Sequence, residues 1–352
     1  MALAGAGVIG RRHADMIRRL QASGRKVQLC AVVDPSSAGR AYAAAQQVPH
    51  FDSLEALFAA PGPRPDGVIL ATPNHLHVPG ALLCAAHGVN ALIEKPVADS
   101  VEEGERLADA VARSGVAMLV GHHRRHSAIL QTARKTLASG QLGRLVSVMG
   151  SAQFCKPEAY FESGPWRRQA GGGPILINLI HEMDNLRFLC GEVVAVQAMA
   201  SHAVRGFEVE DTAVINLRFA NGMLGSFTLS DAAASPRSWE QTSGEDPAYP
   251  RYGSEDCYFI AGTQGSLAVP TMRTWCYPAG DADARSWWRP FELAQQPLDL
   301  VDPLVAQLQH FCDVIERQAE PLVSVADALQ SLAVVQAVRD SMALGATVEV
   351  RA

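Results

Sequence analysis

Ala2-Leu3-Ala4-Gly5-Ala6-Gly7-Val8-Ile9-Gly10 is the stretch whose reading decides the fold. It sets G-x-G-x-x-G between a short apolar run and a helical pattern over residues 9–21. Strand, glycine turn and helix in that order open a dinucleotide-binding unit. Gly5 allows the tight turn, Gly7 lets backbone approach a pyrophosphate, and Gly10 permits close helix packing. Val8 and Ile9 begin the helix, whose N-terminus attracts phosphate. The apolar run before Gly5 is short, since ~5–6 residues is typical of a strand, which predicts that a few upstream residues are missing from this chain.

Outward from this turn, short apolar runs at residues 27–33, 67–71, 89–93 and 116–120 alternate with helical patterns at 36–47, 78–87 and 100–114. That alternation predicts a doubly wound parallel sheet. Asp34 closes the second strand and is the acidic residue expected about 20 positions past the glycines. A carboxylate there accepts the ribose hydroxyls of NAD. The 2′-phosphate of NADP would bring like charge, costing up to ~4 kcal/mol at 4 Å and an effective dielectric of 20, and less where water screens it. Pro35-Ser36-Ser37 supplies no adjacent arginine, Arg40 being the nearest. NAD is the expected cofactor, ahead of NADP.

Length implies two domains, because 352 residues exceed one core of ordinary size. The boundaries predicted are 1–121 for the NAD(P)-binding domain and 122–352 for a substrate-binding and oligomerisation domain. Apolar content of 48% and charged content of 19% describe a soluble globular chain. The formal charge of −6 gives no electrostatic basis for nucleic acid or an anionic membrane as partner. Seven cysteines without a C-x-x-C pair fit a reducing compartment, and their spacing offers no zinc site. No apolar stretch approaches the ~20 residues that span a bilayer. A cytoplasmic protein is expected.

Beyond residue 145, runs at 193–200, 212–219, 223–229 and 258–260 read as strands, with Asn221-Gly222 as a turn. Residues 179–189 read as a helix with His181 and Asp184 on neighbouring faces. Residues 302–317 and 325–342 read as closing helices, whereas 165–174 and 231–252 lack periodicity and read as long loops. Within the second loop, residues 235–251 are expected either to cover a site or reach a neighbouring subunit, or to be a mobile surface insertion.

Two further motifs carry chemistry. Ala71-Thr72-Pro73-Asn74-His75-Leu76-His77 precedes a helix, and Glu94-Lys95-Pro96 ends the fourth apolar run of the first domain. A primary amine at the carboxyl end of a strand is well placed to hold a reacting oxygen. The order G-x-G-x-x-G, acidic strand end, A-T-P-N-x-x-H and E-K-P resembles the glucose-fructose oxidoreductase, inositol dehydrogenase and MocA group of NAD(P)-dependent oxidoreductases. Arg125, Gly140-Gln141-Leu142-Gly143, Trp166-Arg167, Gly171-Gly172-Gly173, His181 with Asp184, and Gly262-Thr263-Gln264-Gly265 continue the correspondence along the chain.

The resemblance implies a Rossmann domain followed by an α+β domain on a large open, mostly antiparallel sheet whose face makes homodimer or homotetramer contacts. It implies cofactor contacts at Gly5, Gly7, Val8, Ile9, Gly10, Asp34, Ala71, Thr72, Pro73, Asn74, His77, Glu94, Lys95, Pro96 and Arg125. Lys95 and His181 become the central catalytic pair. A histidine that titrates near neutral pH suits general base work, and a lysine cation stabilises a developing alkoxide. Substrate contacts are expected from Lys95, His123, Arg124, Trp166, Arg167, Asn178, His181 and Asp184. One departure is Ile177, where the family commonly has an aspartate four residues before the histidine.

His122-His123-Arg124-Arg125-His126 reads either as a recognition cluster for a carboxylate or as a solvated helix start with one cofactor contact. Arg167 and Arg168 repeat the cationic theme, so an anionic substrate is favoured. No metal is expected, because His181-Glu182-Met183-Asp184 lacks the second histidine of H-E-x-x-H. The expected activity is hydride transfer between nicotinamide and a carbinol of a sugar, sugar acid, cyclitol or related ring. Two alternatives stay open: a dehydrogenase of a carboxylated cyclic dihydrodiol, and a catalytically silent NAD-binding regulator.

Overall fold

Six short, mostly apolar runs build the first sheet, which is the pattern of parallel strands covered on both sides. In a computed structural model describing residues 1–278, 280 and 285–351, they are β1 (Ala2–Ala4), β2 (Ala31–Val33), β3 (His50–Phe51), β4 (Gly67–Leu70), β5 (Asn90–Ile93) and β6 (Met118–Val120). All pairs are parallel, in the order β3-β2-β1-β4-β5-β6. Leu3, Val32, Ile69, Leu92 and Leu119 are fully buried. Register aligns Ala4 with Val33 and Leu70, Leu70 with Ile93, and Ile93 with Val120, so five strands end level.

Two details depart from expectation. The run 27–33 is a strand only over Ala31–Val33, because its partner β1 is three residues long and offers no more ladder. β3 and the helix Leu54–Ala59 were not anticipated, since two strand residues are too few to carry an alternation pattern.

The second sheet has nine strands: β7 (Leu145–Gln153), β8 (Val193–Ser201), β9 (Thr212–Phe219), β10 (Leu224–Ser230), β11 (Tyr258–Gly262), β12 (Gly265–Val269), β13 (Arg273–Cys276), β14 (Glu292–Gln295) and β15 (Val348–Glu349). Their order is β14-β13-β12-β11-β7-β10-β9-β8-β15. Only β7 and β10 run parallel among them, so the α/β then mostly antiparallel α+β architecture is as expected. β9 alternates buried and exposed along its length, the mark of a sheet covered on one face. Asn221-Gly222 makes the β9–β10 turn, with Gly222 at φ 84°.

The chain divides into two compact units, Met1–His126 with Asp302–Leu332, and Ser127–Val301 with Ala333–Ala352. Against the expected second range, 122–352, the second unit starts at Ser127 and omits Asp302–Leu332. Asp302–Leu332 returns to the first unit for a packing reason. Val120 N–H donates to Val323 O at 2.9 Å, and side chains of this segment fill the space over two glycines. A Cβ at Gly67 would lie 2.7 Å from Ile315, and one at Gly104 would lie 2.5 Å from Leu329. In the second unit Ala198 N–H donates to Ser341 Oγ at 2.9 Å, while β15 pairs with β8.

Residues 231–252 carry a short helix of their own within their unit. Ser238 caps a short helix, Trp239–Ser243, and Trp239 is buried with its Nε1–H donating to Glu245 Oε2 at 3.0 Å. A large aromatic with a satisfied polar edge gives the segment its own anchor.

Candidate active site

In open parallel sheets, ligands bind at the carboxyl ends of strands where the strand order reverses, here between β1 and β4. The expected residues of the first unit follow those ends. Gly5, Gly7, Val8, Ile9 and Gly10 follow β1, and Asp34 follows β2. Ala71 to Asn74 and His77 follow β4, Glu94 to Pro96 follow β5, and His123 to Arg125 follow β6.

The glycine turn has the shape a dinucleotide needs. Gly5 sits at φ 89°, and a Cβ there would be 2.4 Å from Ala71 O. A Cβ at Gly10 would be 1.9 Å from Gly5 O, so the helix Val8–Ala22 lies directly against the turn. A Cβ at Gly7 would meet nothing within 4 Å. No side chain among the described residues caps this helix, and Val8 is exposed. Uncapped N–H groups facing open space form an anion site. The buried Thr72 Oγ1 also lacks a partner among the described residues. These features fit NAD: the helix terminus would hold its pyrophosphate and Asp34 its ribose.

Asp34 and Glu94 are both held in the ionised form. Asp34 Oδ2 accepts from Ala6 N–H at 2.8 Å, and Oδ1 accepts from Ser36 N–H at 2.9 Å and from its hydroxyl. Partial burial acts to raise its pKa, but these hydrogen bonds and the nearby His50 prevail and hold it below the usual carboxylate range. A Cβ at position 39 would strike the Asp34 side chain at 2.4 Å, so Gly39 makes room for it.

Glu94 is buried, and its Oε1 lies 2.7 Å from Nε2 of the buried His13. Its Oε2 accepts from the Lys95 N–H at 3.2 Å. Burial opposes ionisation, yet the His13 hydrogen bond and charge, with Lys95 and His123, bring Glu94 down to about 2. His77 is buried and joins two motifs, its Nδ1 lying 2.8 Å from Pro96 O and its Nε2 3.0 Å from Thr72 O. Lys95 itself is half-buried, at the end of a strand fixed on both sides.

The cluster His122 to His126 is not a solvated helix start. It forms a 3-10 turn with Arg124 and Arg125 buried, and Arg125 Nη2 lies 3.3 Å from Asp327 Oδ2. Pairing across more than 200 positions of chain left no local sign. His123 is pushed down to about 3, first by burial and then by Arg124, with Glu94 opposing and Lys95 adding to the fall. It is therefore a neutral imidazole near Lys95.

In the second unit, a π-helical turn, Ile175–Leu179, runs straight into the helix Ile180–Cys190. π-turns within helices concentrate at functional sites. Asn178 lies in the turn, and His181 and Asp184 on the helix, which is buried nearly all round. Tyr258 OH donates to Glu182 and accepts from Asn185 Nδ2 at 2.8 Å, which fixes the helix against β11. Trp166 is exposed in a 3-10 turn. Arg167 folds back on its own loop, 3.9 Å over the Tyr160 ring, and donates to Tyr160 O and Ser163 Oγ. Arg168 pairs with Glu158. His13, Lys156 and Asp231 escaped the sequence reading, because none lies in a motif and their partners are distant in the chain.

The fold and its uncapped glycine turn define an NAD-binding oxidoreductase. Residues 1–122 match the oxidoreductase family with an NAD-binding Rossmann fold, and residues 130–268 match the GFO/IDH/MocA C-terminal domain. The chain belongs to the Gfo/Idh/MocA family. It is 28% identical to 1,5-anhydro-D-fructose reductase of Ensifer adhaerens, over 99% of this chain and 97% of that one. It is 26% identical to the scyllo-inositol 2-dehydrogenase (NAD(+)) of Bacillus subtilis, over 99% and 95%. Among solved structures, the WlbA dehydrogenase of Bordetella pertussis, in complex with NADH and UDP-GlcNAcA, superposes with a TM-score of 0.78 at 26% identity, covering 100% of this chain and 98% of that one. No helix among the described residues is long and apolar enough to cross a membrane.

Proposed function

We propose that this protein is an NAD-dependent dehydrogenase or reductase acting on a carbinol of a sugar, sugar acid, cyclitol or related hydroxylated ring. The observation that carries the reading is the gathering of the uncapped glycine turn, Asp34 and Lys95 on one level sheet edge. Relatives matched along nearly their whole length act on an anhydro sugar and a cyclitol. Bound NAD accepts or donates the hydride. Lys95 stabilises the oxygen that gains charge as the carbinol is oxidised, and His181 takes its proton. Glu94 and His77 fix the segment that carries Lys95.

NAD is preferred over NADP, because Asp34 is ionised where the 2′-phosphate would lie. We further assign a homo-oligomer. Val146, Met149, Met199, Val214, Leu224 and Leu293 are exposed on strands of the nine-stranded sheet, an apolar face that a second copy would cover. The seven cysteines form no disulfide, in keeping with a reducing cytoplasm.

The reading is tested by NADH formation over sugars, sugar acids, cyclitols and carboxylated cyclic diols, with Lys95→Ala as control. Lysine-dependent turnover on one class supports it. NAD binding with silence across the panel would leave a regulator as the better account. Light scattering of Met149→Lys tests the assembly, with a smaller species expected.

A further inference from the structure

Lys156 belongs to none of the motifs above. It follows β7, beside Cys155, whose backbone bridges to Ala232. Its side chain is only 11% exposed. The ammonium donates to Asn178 Oδ1 at 2.7 Å, lies 3.6 Å from Asp231 Oδ2, and sits 4.8 Å over the Tyr160 ring and 5.5 Å over Phe154.

This cation is not needed to neutralise Asp231. Arg205 Nε already donates to Asp231 Oδ1 at 2.8 Å. Asp231, Glu240 and Arg167 are the charged groups that act on Lys156. An ammonium has three N–H groups, and Asn178 and Asp231 account for two. The third has no acceptor among the described residues. Burial disfavours the charged amine and brings it down to about 8, with Asp231 opposing. A buried cation with a donor to spare is costly unless a ligand uses it.

Asn178 links this amine to the helix of His181. It lies in the π-turn three positions before His181, while Ile177 beside it offers no polar group. The Lys156–Asn178 pair is thus the polar contribution of that turn.

We propose that Lys156, held by Asn178, is a specificity-determining group that donates to a carboxylate on the substrate ring, so that the protein selects sugar acids over neutral sugars. The inference rests on the dehydrogenase reading and narrows it.

The test compares wild type, Lys156→Met and Lys156→Arg, each saturated with NAD, on matched pairs such as glucuronate with glucose and galacturonate with galactose. Circular dichroism and NAD affinity confirm that the variants are folded. Turnover and calorimetric binding are both read. The expected result is an acid-to-neutral ratio of kcat/KM that falls at least tenfold in Lys156→Met, through KM, and recovers in part with the cationic Lys156→Arg. An unchanged ratio overturns the proposal. Lys95-dependent turnover of neutral sugars with no acid preference also overturns it and leaves the dehydrogenase standing. Acid binding that weakens in Lys156→Met, with no turnover of any substrate, upholds this site and overturns the dehydrogenase. Wild type that binds neither member of any pair overturns both.

Discussion

The strand-end cradle of the first unit and the helix-borne polar cluster of the second treat buried charge in opposite ways. In the cradle, charged side chains are matched within the unit. Glu94 meets His13 and Arg125 meets Asp327, while His77 bridges two backbone carbonyls. In the cluster, Lys156 keeps a donor beyond what Asn178 and Asp231 use. Matched groups make a rigid frame that suits a cofactor of constant shape. An unmatched donor is a binding group, and it sets which substrate gains by entering.

The sharpest break in this contrast is Lys95→Ala, which removes the one cradle residue expected to touch reacting atoms. We expect kcat/KM to fall about a thousandfold, roughly 4 kcal/mol. A loss below about tenfold in steady-state assays would remove Lys95 from the mechanism.

Next in size is Glu94→Ala, which strands a buried His13. Breaking a buried pair costs about 3 kcal/mol, read as a lower urea midpoint. The pair also predicts a pH dependence. Glu94 titrates near 2 when folded and at 4.5 unfolded, so the unfolded chain binds more protons between those values. Its contribution is present above pH 4.5 and is lost as pH falls toward 2. Urea midpoints measured down this range should drop in wild type and drop less in Glu94→Gln. Parallel curves would contradict the assignment.

Asp34→Ala should narrow the NAD to NADP affinity ratio by about tenfold, roughly 1.4 kcal/mol, because a like charge leaves the 2′ position. Fluorescence titration with both reduced cofactors measures it. Smallest of all, Arg168→Ala removes a partly exposed pair with Glu158 and should change stability by less than about 0.5 kcal/mol. A change above about 2 kcal/mol in thermal unfolding would mean that Arg168 carries structure that its surface pair does not explain.

The cradle was largely legible in the chain. Its glycines, Asp34, the A-T-P-N segment and E-K-P all lie at strand ends, where a local pattern fixes both backbone path and position on the sheet edge. What escaped was the partner of each charged group. Arg124 and Arg125 read either as a recognition cluster or as a solvated helix start, yet both are buried and Arg125 meets Asp327 from the returning segment. Trp239 looked like part of a loop because five helical residues are too few to show periodicity.

The sequence by itself determined the βαβ unit, the cofactor class, the family and the place of Lys95 at a strand end, because these follow from short-range spacing and backbone geometry. Only the tertiary structure decided that Glu94 is locked by His13, that Asp302–Leu332 packs with the first unit, and that Lys156 meets Asn178. Those facts depend on contacts between residues far apart in the chain, and burial, which sets the strength of each charge, exists only once such contacts have formed.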